Sequence, residues 1–198
     1  MLRKASDLAG RAVQTGVGAH GRDRYRGPVA AFSPARALTG NDRRRLDLRR
    51  GDRVLVATTL ADGRRAVATR LALHVLSDAS TARTPWADVD RGSLDATTRT
   101  LTVRWVWGAS DAFVFTSDRG SVAFTQTFRE RVQSSVVHAA SVPLPAGGQA
   151  RVALRRDEDG ELFTQVVADD GVDLADPAVT AAVDRAESAV RSAAGLPG

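Results

Sequence analysis

The chain has 198 residues, 43% of them hydrophobic and 26% charged, which suffices for one globular domain or a domain with an appendage. It holds no cysteine, so disulfides, thiolate metal sites and a cysteine nucleophile are excluded. The formal charge of +5 is uneven, because residues 1–53 carry +8 and residues 54–198 carry −3.

Residues 1–36 read as a disordered basic arm. Leu2, Ala5, Leu8, Ala9, Ala12 and Val13 recur at helical spacing, but so short a helix is marginal in water. Gly16, Gly18 and Gly21 spell GxGxxG without the strand before and helix after that a dinucleotide site needs, so they read as loop. Residues 41–48 (NDRRRLDL) can form a helical turn carrying Leu46.

From residue 52 the texture becomes short β-type runs broken by turns. DRVLVATTL precedes the turn ADG. RRAVATR and LALHVL follow as one strand or two, then TPWADVD. In RTLTVRWVW, Leu101, Val103, Trp105 and Trp107 alternate onto one face. DAFVFTS brings Phe113 and Phe115 together. Thr127 and Glu130 fit a capping box, with Val132, Val136 and Ala139 as the stripe of the helix it would open. VPLPAGG reads as a linker. QARVALRRDEDGELFTQVVAD reads as a hairpin turning at Asp159 and Gly160. Asp176 caps a last helix with Pro177 at its first position, Val179, Val183, Ala186 and Val190 on one face, and Gly195 at its end. The expected core is Val54, Val56, Leu73, Val75, Val103, Trp105, Phe113, Phe115, Val132 and Val136.

The order GDRVLV, AVATRLALHVL, TPWADVDRGSLD, TLTVRWVW, a Phe-containing strand and FRERVQSSVV resembles a bacterial PH-like domain (pleckstrin-homology superfold, GRAM-like variety) over residues 51 to about 140. The resemblance implies a small antiparallel barrel closed by a helix, and a module that binds a partner or lipid rather than an enzyme. No lipid-binding residue carries over, since the first strand connection offers only Arg64 and Arg65. The expected fold is therefore α+β: a basic arm over 1–36, a PH-like barrel over 37–142, and a β-hairpin plus helix extension over 143–198.

Little catalytic chemistry is legible. His20, His74 and His138 are not at metal-ligand spacing. The acidic clusters Asp157, Glu158, Asp159, Glu161 and Asp169, Asp170, Asp173, Asp176 lack calcium-loop spacing. Ser134 and Ser135 fall inside a helix, and no GxSxG exists. The three tryptophans read as core, with Trp86 and Trp107 placed near strand ends where they could edge a pocket. One basic feature stands out. Arg22, Arg24 and Arg26 flank Tyr25, and Arg43, Arg44, Arg45, Arg49 and Arg50 follow. Guanidinium groups pair with phosphate, and tyrosine stacks on bases. Codon usage weakens that signal. Lys4 is the only lysine, Asn41 the only asparagine, and isoleucine is absent. All three use AT-rich codons, so arginine partly replaces lysine in what reads as a GC-rich bacterial genome.

The expected function is a non-catalytic binding or scaffolding module, with a protein partner or a second copy of itself. The alternative is a nucleic-acid-associated protein using the arginine-rich arm. No cofactor is expected. No apolar run approaches the roughly 20 residues of a membrane span, and the first residues lack the apolar stretch of a signal peptide. A cytoplasmic location without membrane contact is expected.

Overall fold

A computed structural model describes residues 2–4 (backbone only), 38–145 and 147–197. Most of the basic arm, the GxGxxG run, His20, and Arg22, Arg24, Tyr25 and Arg26 lie outside the described residues. Leu2–Lys4, read from sequence as the start of a helix, is a strand, β1.

Gly40–Arg45 forms α1. Thr39 and Asp42 close its first turn reciprocally. The Asp42 N–H donates to the Thr39 hydroxyl at 3.1 Å, and the Thr39 N–H donates to the Asp42 carboxylate at 2.9 Å. Burial pushes the Asp42 carboxyl up, but those Thr39 bonds and the charges of Arg65 and Arg45 outweigh it and hold it below its ordinary range.

β2 (Val54–Thr59), β3 (Arg65–Thr69), β4 (Ala72–Leu76) and β5 (Thr81–Pro85) form an antiparallel meander. β6 (Val89–Asp95), β7 (Thr100–Trp105) and β8 (Ser110–Val114) form a second. α2 (Asp118–Ser135) runs directly into β9 (Val136–Pro143). That strand pairs with β10 (Gln149–Arg156), which pairs with β11 (Leu162–Ala168), and β1 adds parallel to the far edge of β11. α3 (Pro177–Ala193) closes the chain behind its Asp176 cap, and Gly195 follows it with a φ of 73°.

The fold is α+β with three separate sheets, and the expected closed PH-like barrel is not formed. Pro85 has no N–H to donate, and the 3₁₀ turn Trp86–Asp88 separates β5 from β6. On the other side, the edges of the first two sheets are joined among the described residues by one bridge, between Leu60 and Phe115, and not by a continuous ladder. α2 packs across the opening instead, burying Phe124 and Phe128 against Trp86 and Phe115.

Three apolar clusters result. The first holds Val56, Leu73, Trp86, Leu101, Val103, Trp105, Phe113 and Phe115 between the first two sheets and α2. Val54, Val75, Val132 and Val136 of the expected core are only half-buried. The second cluster lies on the outer face of β2–β4, where Ala57, Val67 and Leu76 are covered by Leu38 and Leu46. The third joins Ala150, Val152, Leu154 and Val166 to Val179, Val183 and Val190 of α3.

The helix expected to be capped by Thr127 begins ten residues earlier. Ser117 is its cap, accepting from the Gly120 N–H at 3.2 Å, and Thr127 lies mid-helix with its hydroxyl donating to the Ala123 carbonyl. Val136, His138 and Ala139, read as the end of that helix, belong to β9.

Candidate binding clefts

Of the arginines singled out by sequence, Arg43, Arg44, Arg45, Arg49 and Arg50 lie among the described residues. Arg45 donates to the carbonyls of Ser77 and Ser80 at 2.6 and 2.8 Å, tying α1 to the β4–β5 turn. Arg49 pairs with Asp159 at 3.0 Å and with Glu158 at 3.5 Å, and Asp159 foremost holds its guanidinium above its ordinary pKa. Arg43 is also engaged. Arg44 and Arg50 are exposed. The "acidic hairpin tip" is thus partly a partner for arginines: Glu158 is also held by Arg83 of β5.

Among the described residues Trp107 is the one exposed Phe, Tyr or Trp side chain. β7 ends at Trp105, so the expected alternation stops there and Trp107 enters a turn instead of the core, at 47% exposure. Its ring stacks on Trp105 with centroids 5.5 Å apart and planes 11° from parallel. Trp105 is itself fixed by burial and by a 3.1 Å bond from its Nε1 to Asp111. Beside Trp107 lies a cleft of about 330 Å³ walled by Arg104 and by the loop after β11, with Asp169, Asp170 and Asp173. Arg104 reaches Asp170 Oδ1 at 3.4 Å, while Asp170 Oδ2 is buried without a hydrogen-bond donor. Asp169 accepts from the Gln149 N–H at 2.9 Å, and Asp173 from the Ala175 N–H at 2.8 Å. Sequence reading took these acids as charge suited to a helix start. The loop length that lets them meet Trp107 had no local signal.

A second cleft, of about 300 Å³, includes Arg70, Arg131 and Arg156. None of the three makes an ion pair among the described residues.

A third lies where the other face of β10 meets α2. Residues 150, 152 and 154 face α3, so Arg151, Ala153 and Arg155 face the first part of the chain. Arg155 is 1% exposed. Its Nη1 donates to the carbonyls of Val89, Ala87 and Trp86 at 3.0, 3.3 and 3.4 Å, and to Ser135 Oγ at 3.1 Å. Burial first, then the neighbouring charge of Arg151, pushes its pKa down to about 10, with Asp88 opposing. Burial also lowers that of Arg151, which pairs with the buried Asp90. Sequence reasoning missed Arg155 and Asp90: arginine on alternate strand positions reads as a solvated face.

Trp86, the other tryptophan near a strand end, is buried with its Nε1 donating to the Thr69 carbonyl at 3.0 Å. His138 is exposed. Among the described residues no group of three His, Asp or Glu side chains is placed to hold a metal, and no helix is long and apolar enough to cross a membrane. No family model matches the chain, and no curated protein matches it.

Proposed function

We propose that the chain is a non-catalytic binding module for a protein partner, and that Trp107 and the acidic loop beside it are its contact. The observation that carries this reading is a half-exposed tryptophan held rigid by stacking on a buried one. Rigid aromatic anchors lose little entropy on association and dominate binding energy at interfaces. The three carboxylates of the cleft favour an arginine or lysine from the partner, set over the Trp107 ring as a cation–π contact. The test is a panel of short peptides matched in length and varied in charge, with binding read by calorimetry. Arginine-containing peptides should bind, and Trp107→Ala and Asp170→Asn should each weaken them about tenfold. Binding that ignores peptide charge, or that persists unchanged in Trp107→Ala, would overturn the reading.

The cleft of Arg70, Arg131 and Arg156 supports a second reading, nucleic-acid association, because guanidinium groups that make no ion pair among the described residues suit phosphate, although Asp157, Glu158 and Asp159 of the same cleft oppose it. Its mark would be affinity falling steeply with salt as counterions are released. Replacing those three arginines by glutamine should then flatten the slope.

A further inference from the structure

We propose that the cleft between the last turn of α2 and the inner face of β10 binds a small aliphatic monocarboxylate. This site is distinct from the Trp107 cleft and does not depend on it.

The argument begins with Arg155. All of its hydrogen bonds come from Nη1. Its Nε is buried and has no acceptor among the described residues. A buried donor left unmet is costly, and more so when it is charged. The nearby carboxylates do not meet it: Asp90 is paired with Arg151 and, at 3.6 Å, with Arg91, and Asp88 acts on Arg155 through its charge alone. The Arg155 Nε thus stays an unmet donor of a charged group beside a cavity.

The cavity defines the rest of the ligand. It measures about 350 Å³, and Val132, Val136, Ala139 and Ala153 line it along with the charged groups. That size is at the low end for small-molecule sites, roughly 300–1,000 Å³. No aromatic ring lines it, which favours a short aliphatic body over a stacked one. Inorganic phosphate or sulfate would satisfy the arginines but leave the apolar wall wet. A monocarboxylate with a short alkyl chain fits both parts: its oxygens reach Arg155 and Arg151, and its chain lies on the valines and alanines. Ala139 is exposed and Arg151 is 35% exposed, which puts the mouth at β9 and β10.

The probe is sodium octanoate, titrated calorimetrically into the full chain at neutral pH, with octanol, octylamine and acetate as controls. Octanoate should bind saturably, octanol and acetate more weakly, and octylamine not at all. The Arg155 Nε–Hε resonance should move with octanoate, a signal that a merely structural arginine would not give. Removing Arg155 endangers folding, so the variants leave it in place. Arg151→Gln should weaken octanoate about tenfold or more, and Ala139→Phe should abolish binding by filling the mouth. The proposal is overturned if octanoate fails to saturate, if octanol binds as well, or if both variants bind unchanged.

Discussion

His74 shows what one residue can hide. It stands on β4 opposite Leu73 and Val75, where alternation predicts the polar side of the sheet. It is nonetheless 0% exposed, because residues 38–46 cover that face, and neither ring nitrogen has a hydrogen-bond partner. Burial, reinforced by the Arg83 charge, drives its pKa down from 6.5 to about 4, against the pull of Asp52, Asp47 and Glu158. The folded pKa is thus below the unfolded one. Above pH 6.5 both states are neutral and the residue contributes no pH dependence. Between pH 6.5 and 4 only the unfolded chain takes the proton, so stability falls, by about 3 kcal/mol in all. Urea midpoints for the wild type and His74→Leu at pH 7 and pH 4.5 check this. The variant should match or exceed the wild type at pH 7 and lose less on acidification. Gly92 gives a second residue-scale expectation. A Cβ there would stand 2.4 Å from Phe128 Cε1 and 3.2 Å from Leu101 Cδ1. Gly92→Ala should therefore cost about 1–3 kcal/mol by overpacking, measured by thermal melts, whereas an exposed glycine in a strand is ordinarily improved by alanine.

At the scale of elements, the legible ones were those with local chemistry. The Asp176–Pro177 start of α3 is written in a side chain that bonds to its own backbone, whereas the turn read over 41–48 forms as Gly40–Arg45 behind a Thr39 cap that was not read. β7 is legible through the alternating Leu101, Val103 and Trp105, and its end is not, since Trp107 continues the pattern after the ladder has stopped. α2 failed differently. Its first half, DRGSVAFTQ, contains a glycine and a valine and has low helix propensity, so the sequence pointed to the later Thr127 and Glu130. Packing of Phe124 on Phe115 and Phe128 on Trp86 overrides that propensity. The two caps can be told apart. Ser117→Ala should cost about 1 kcal/mol, since the Gly120 N–H loses its acceptor. Thr127→Ala should be neutral or slightly stabilising, because alanine is the better helix former and no orphan donor is exposed. Chemical denaturation of both variants decides which residue begins the helix.

On the scale of the whole molecule, what the sequence could not supply was how the parts meet. The strand runs were visible, but closure into a barrel depends on whether sheet edges find each other, and one proline and one 3₁₀ turn decide that here. The cluster between the first two sheets and the cluster under α3 share no residue. Polar contacts join them: Arg83 with Glu158, Arg104 with Asp170, Arg151 with Asp90, Gln165 with the Ala87 carbonyl, and Arg155 with three carbonyls and Ser135. The three ion pairs among these are part-buried. Arg155 is different, because its partners are buried and removing it leaves them unmet. Arg155→Leu should therefore cost more than about 2 kcal/mol, with a specific signature. The wild type should unfold in one transition, and the variant should separate β9–β11 and α3 from the other two sheets. Hydrogen exchange would read this as amides of β10 and β11 opening at a lower free energy than those of β3 and β7. If the variant loses stability while all four strands still exchange together, the junction is not what couples the two cores.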